Sequence, residues 1–331
     1  MKAVRLHGVE DLRFEDIPPP GALAPGQVRI AVKAAGVCGS DLHNFKTGQW
    51  ISRAPATPGH EICGEVVEVA RGVAAFHPGD LVVADSRIWC GECPDCLEGH
   101  YNLCAGLGFV GEVCEGGFAE QVVLPETQLL RMIPGTPPEV AALTEPLAVA
   151  LHALSRLALG PGEPVFILGC GAIGGLAAFA ASRLHDGPVL VADRNAARAA
   201  LVAAVTGARV ASLDAAGRHG VRLRHAVEAT GSAAALAVLT GLVSPGARIA
   251  LVGLFHEKLS LDANLLVERE ISLVGCHAFA DELPRAAALA AEHAEALARL
   301  VTPGVALADL PVTYASLLTG EGQGLKTLVR P

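Results

Sequence analysis

Three side chains that suit a divalent metal fall on two glycine-flanked turns early in the chain. Gly36-Val37-Cys38-Gly39-Ser40-Asp41-Leu42-His43 supplies a thiol, and Pro58-Gly59-His60-Glu61 supplies an imidazole and a carboxylate. These ligand types hold zinc and leave one position open for a substrate oxygen. Taken alone, the stretch fits a buried thiol beside two unrelated polar groups equally well. A second cluster shifts the balance. Cys90, Cys93 and Cys96 are followed by Cys104, and four thiolates at this spacing close a tetrahedron with no open position, a structural zinc site. An iron-sulfur or rubredoxin-like centre and two strained disulfides are the competing readings. Zinc is favoured because one compact lobe supplies all four sulfurs, in a chain lacking other redox-cluster signatures.

Further along, Glu145 precedes Pro146, and Leu147, Leu151 and Leu154 recur at helical spacing. Pro146 fits the first position of that helix, where its missing N–H costs nothing. Glu145 then stands at a helix entrance, either complementing the helix dipole or serving as a further zinc ligand or near-ligand. Val165-Phe166-Ile167-Leu168 is an unbroken apolar run, as expected of a central parallel strand. It enters Gly169-Cys170-Gly171-Ala172-Ile173-Gly174, a GxGxxG turn whose glycines admit a pyrophosphate to the N-terminus of the next helix. A second apolar strand, Val189 to Ala192, runs into Asp193, where a carboxylate can grip ribose hydroxyls. The competing role for Asp193 is a helix cap. In such sheets ligands bind at the carboxyl ends of strands, which makes Thr230, Val252, Gly253 and Leu254 candidate cofactor neighbours.

The elements that must position these groups divide the chain. Lys2 to Leu6, Leu12 to Asp16, Gln27 to Ala34, Ile62 to Val69 and Leu81 to Val83 read as strands broken by Pro and Gly turns. The first third is therefore β-rich and carries its chemistry on loops. Glu139 to Leu157 reads as a short helix and a longer one, residues 281–300 as alanine-rich helix, and Gly324 to Val329 as a last strand. The chain has 331 residues and 51% hydrophobic content, enough for about two domains. A net charge of -9 without a basic run disfavours nucleic acid and anionic membrane surfaces. Val165 to Ser182 lacks charge, but its four glycines and phosphate-loop pattern suit a buried strand-turn-helix better than a membrane span. The N-terminus does not read as a secretory signal, and nine cysteines without one favour metal binding over disulfides, hence a cytoplasmic protein.

The order Cys38-Gly39-Ser40-Asp41-x-His43, Gly59-His60-Glu61, four-cysteine lobe, Glu145-Pro146, GxGxxG and Asp193 resembles the zinc-dependent medium-chain dehydrogenase/reductases. It is most similar to their polyol branch, which includes sorbitol, butanediol, idonate and threonine dehydrogenases. The resemblance implies an α/β fold: a GroES-like catalytic domain, residues 1–148 completed by 278–331, and a Rossmann domain at 149–277 with the active site in the cleft. It implies a catalytic zinc on Cys38, His60 and an acid, Glu61 or Glu145, and a structural zinc on Cys90, Cys93, Cys96 and Cys104. Asp41 would orient His60, and Ser40 and His43 match the proton relay. Ile173, Asp193, Arg198, Val252, Gly253, Leu254, His277, Ala278 and Phe279 match cofactor-contacting positions, beside Gly169, Gly171, Gly174 and Thr230 read above, and the carboxylate of Asp193 at the ribose favours NAD over NADP. A small-molecule alcohol substrate and a homodimer or homotetramer are also implied. Two departures stand out. Ala211 to Arg224 leaves little room for the customary helix before Ala226, and sorbitol dehydrogenases carry a substrate-touching arginine where Ala278 aligns.

Overall fold

The computed structural model describes residues 1–213, 222–319 and 324–331. The chain divides into two units: Met1–Glu145 with Leu283–Pro331, and Pro146–Glu282.

The first unit is built on a seven-stranded sheet. Its path runs Val305–Ala306, Leu328–Arg330, Gln27–Gly36, Glu61–Val69, Leu81–Ala84 and Leu129–Arg131, and Gln121–Pro125 also pairs with Gln27–Gly36. Strand Gln27–Gly36 alternates buried and half-exposed residues over much of its length, so one face packs the core while the other meets water. Val28, Ile30 and Val32 join Val66, Val82, Phe118, Leu124 and Tyr314 in that core. The register brings distant parts of the chain together. Gly36 pairs with Glu61 on one side and with Leu328 on the other. The chain's last strand thus lies against the start of the metal-ligand stretch, and Lys326 is carried there with it.

Three expectations change here. The Cys38 to His43 chemistry is not on a loop: Gly39–Thr47 is a helix with Cys38 at its N-cap. Asp41 explains this, because its Oδ2 accepts the Cys38 N–H at 2.9 Å and satisfies a donor that a helix start leaves open. Gly48 ends the helix in the left-handed conformation. The helix after Ala142 begins at Thr144, so Pro146 is its third residue, still in the first turn where no N–H is required. The last strand is Leu328–Arg330 rather than Gly324 to Val329, while residues 281–300 are helical as expected, in two helices, Leu283–Glu292 and Ala294–Ala298.

The second unit is a six-stranded parallel sheet. Its order is Arg209–Val210, Val189–Ala192, Val165–Leu168, His225–Glu228, Arg248–Leu251 and Ser272–Gly275. Numbered along the chain this is 3-2-1-4-5-6, the order of doubly wound dinucleotide-binding sheets, with the reversal beside the first strand. That strand, Val165–Leu168, is buried throughout. Gly169 follows with φ +100, a conformation L residues rarely adopt, and the helix Ala172–Leu184 begins after Gly171. A Cβ at Gly174 would collide with the Gly169 carbonyl oxygen. The third glycine is therefore a packing requirement. The shortened segment at Ala211 to Arg224 lies largely outside the described residues. Among the described residues, no helix is long and apolar enough to cross a membrane.

Gly174→Ala should cost about 1–3 kcal/mol through overpacking and lower the thermal midpoint by several degrees. Circular dichroism melting checks this; an unchanged midpoint would show that the turn yields without cost.

Candidate metal and cofactor sites

Cys38, His60 and Glu61 converge: one ligand atom from each lies within 4.8 Å of the others. Cys38 caps a helix, His60 ends the turn after Gly59, and Glu61 opens strand Glu61–Val69. Glu61 is wholly buried. One of its oxygens pairs with the Lys326 ammonium, itself 4% exposed, while Oε2 has no hydrogen-bond partner. Burial opposes the Lys326 charge, but Glu61 and Cys38 override it and hold its pKa above the ordinary lysine value. An orphaned carboxylate oxygen beside a thiol and an imidazole is a costly arrangement that a bound cation relieves. Sulfur, nitrogen and oxygen donors are the set that suits zinc. The residues therefore fit the metal.

Asp41 Oδ1 stands 3.6 Å from His60 Nδ1, close enough to orient the ring. Burial raises the Asp41 pKa against the pull of His60 and of the Cys38 N–H. Ser40 and His43 share the helix Gly39–Thr47, and His43 Nε2 lies 2.8 Å from Gln49 Oε1. Glu145 stands beside this group. It is not one of the three converging side chains, and Ser86 Oγ donates to its Oε1 at 2.7 Å. Burial pushes its pKa up to about 7. Ser86, Lys326 and Glu112 escaped the sequence reading. Glu112 is also pushed up to about 7 by burial, with His60 and Asp41 near enough to act on it. Only Lys326, a lone cation in a strand-like tail, left a signal that could have been followed.

The four-cysteine lobe is assembled as expected. Cys90, Cys93, Cys96 and Cys104 also converge within 4.8 Å, and every cysteine in the chain is free. Cys104 Sγ lies 3.6 Å and Cys96 Sγ 4.0 Å from Cys90 Sγ. A tetrahedron with zinc–sulfur bonds of about 2.3 Å has sulfurs about 3.8 Å apart, so this lobe also fits zinc. Amide donors support it: the Cys90 N–H points to Cys104 Sγ and the Cys93 N–H to Cys90 Sγ, both at 3.4 Å. Backbone N–H groups of Ala105 and Cys96 hold the Cys93 thiol down at about 6.

In the second unit, Asp193 follows its strand directly and is doubly anchored. Its Oδ2 accepts the Cys170 N–H at 2.6 Å and its Oδ1 the Asn195 N–H at 2.7 Å. It is not the cap of the next helix; Asn195 is, accepting from the N–H groups of Ala197 and Arg198. No side chain caps helix Ala172–Leu184, and a Cβ at Gly171 would meet open space. An uncapped helix start with room above its glycine turn fits a pyrophosphate. Ile173 and Arg198 are half-buried, Thr230 and Leu254 exposed, and Val252 and Gly253 intermediate. His277 is exposed, Ala278 has φ +50, and Phe279 is fully buried.

The alcohol dehydrogenase GroES-like domain matches residues 24–134. L-galactonate-5-dehydrogenase of Escherichia coli (strain K12) is 31% identical over 310 residues, covering 90% of this chain and 89% of that protein. Among solved structures, galactitol-1-phosphate dehydrogenase from Escherichia coli superposes with a TM-score of 0.92 at 27% identity, covering 100% of both chains. A putative zinc-binding dehydrogenase from Sinorhizobium meliloti 1021, bound to NADP, has a TM-score of 0.90 at 30% identity, covering 100% of this chain and 99% of that one. The chain belongs to the zinc-dependent medium-chain dehydrogenases, in their polyol branch. It is an alcohol oxidoreductase with a GroES-like and a Rossmann domain.

Two expectations concern the metals. Cys96→Ser should lower the thermal midpoint and the zinc content, since structural zinc contributes folding energy; a variant with parental midpoint and full metal would remove the lobe from the zinc sites. Lys326→Met should leave Glu61 buried without a cation, a loss of about 3–5 kcal/mol. The fall in midpoint should be smaller in zinc-loaded than in chelator-stripped protein, which calorimetry of both forms measures.

Proposed function

We propose that this protein is a zinc- and NAD-dependent dehydrogenase that oxidises a secondary alcohol to a ketone. The substrate class is a polyol, sugar alcohol, cyclitol or amino alcohol. The observation carrying the reading is the orphaned Oε2 of Glu61 within the Cys38–His60–Glu61 cluster. Zinc held there would act as a Lewis acid and lower the pKa of the alcohol, and the nicotinamide would accept the hydride. Cys38, His60 and Glu61 hold the catalytic metal; Glu145, poised on Ser86, is a near-ligand that can approach it. Cys90, Cys93, Cys96 and Cys104 hold a second, structural zinc. Asp41 keeps His60 aimed. Ser40 takes the alcohol proton and His43, oriented by Gln49, passes it towards solvent.

Asp193 supports NAD over NADP. Both of its oxygens are tied to backbone N–H groups, so the carboxylate cannot swing away from a 2′-phosphate. Two such charges 4 Å apart repel by about 4 kcal/mol near a protein surface. Arg194, next in sequence and exposed, is a neighbour that could offset this.

Steady-state kinetics over a panel of polyols and amino alcohols should give NAD at least about a tenfold advantage in kcat/KM over NADP, about 1.4 kcal/mol. Asp193→Ser should shrink or reverse that ratio, mainly through KM. Equal or better use of NADP by the parent enzyme refutes the cofactor assignment, and no turnover of any alcohol after zinc loading refutes the function.

A further inference from the structure

Strand His225–Glu228 ends in a glutamate with no solvent exposure. A carboxylate in such a place is costly unless donors satisfy it. Here three do. Oε1 accepts the Thr230 N–H at 2.8 Å and the Thr230 hydroxyl, and Oε2 accepts the Gly231 N–H at 3.2 Å. The same residue's backbone carbonyl accepts the N–H groups of Val252 and Gly253, both at 3.0 Å. Glu228 therefore binds two loops at once, those leaving the fourth and fifth strands of the parallel sheet.

The space between these loops is used up. A Cβ at Gly253 would lie 2.7 Å from Glu228 Oε2 and strike the Gly231 nitrogen. One at Gly231 would strike the Leu254 carbonyl. One at Gly169 would lie 2.9 Å from Thr230 Cγ2 and 3.0 Å from the Ala229 carbonyl carbon. The loops after the first, fourth and fifth strands thus interlock at the carboxyl edge, where ligands bind in such sheets. Thr230 and Leu254 nevertheless stay exposed on this anchored backbone. Burial raises the Glu228 pKa against the pull of Thr230 and Gly231, which marks how strongly the site is desolvated. Neither an apolar side chain nor an amide can replace it: three donors converge on two oxygens, and an amide would turn its own N–H₂ towards one of them.

We propose that Glu228 is a positioning residue for the dinucleotide, its carboxylate holding the 229–231 and 252–254 loops in the shape that receives the cofactor. This rests on the dinucleotide reading above. The test is Glu228→Gln in the full chain with its zinc. NADH binding is followed by fluorescence titration, beside thermal melting and steady-state kinetics. The NADH Kd should rise about tenfold, about 1.4 kcal/mol, with KM for NAD moving alike and kcat at saturating NAD falling far less. Glu228→Asp keeps the charge but shortens the arm, and should weaken NADH binding too. A parental Kd in folded Glu228→Gln, whatever its melting temperature, reduces Glu228 to a structural group and overturns the proposal. If Glu228→Gln does not fold, Glu228→Asp decides, and a parental Kd there overturns it equally. A parent enzyme that binds no NADH overturns the dinucleotide reading and this inference with it.

Discussion

Pairing of strand Gln27–Gly36 with both Glu61–Val69 and Leu328–Arg330 is the constraint on which the metal cluster depends. Gly36 sits between Glu61 and Leu328 in that register, and the Lys326–Glu61 ion pair passes directly over it. A Cβ at Gly36 would collide with Glu61 Oε2 and stand 2.9 Å from Lys326 Cε. A one-residue slip would turn Glu61 to the opposite face of the sheet. Backbone pairing, rather than the ligands themselves, therefore delivers the carboxylate to Cys38 and His60. The ion pair then fixes which oxygen is left over.

Glu61 and Glu145, two buried acids of the first unit, divide their roles by their partners. Glu61 shares its charge with a lysine and lies against the thiol and the imidazole. Glu145 is held by a neutral hydroxyl and is pushed up to about 7 by burial. Glu145 thus sits near the point of protonation at neutral pH.

Much of this was legible in the sequence, for identifiable reasons. The cysteine spacings and the GxGxxG turn are local patterns, and local patterns survive without tertiary knowledge. The parallel strands were readable because burial on both faces makes their sequences continuously apolar. Helix Gly39–Thr47 was not readable: it is polar and opens on Gly-Ser, and its start depends on one hydrogen bond from Cys38 to Asp41. Ser86 left no signal and Lys326 only a faint one, because each matters through a residue far away in the chain, 59 and 265 positions distant. Glu228 escaped the sequence reading because nothing in its neighbours reveals that three donors will converge on it.

The division of the first unit into two chain segments has a consequence for how the molecule is made. A ribosome releases Pro146–Glu282 before the segment Leu283–Pro331, so the inner unit can fold while the outer one is still unfinished. During that interval Cys38, His60 and Glu61 already exist, but Lys326 and its strand do not. Glu61 then has no lysine to hold one of its oxygens. The nascent chain offers a metal a carboxylate free to turn, and the finished chain offers one locked in place.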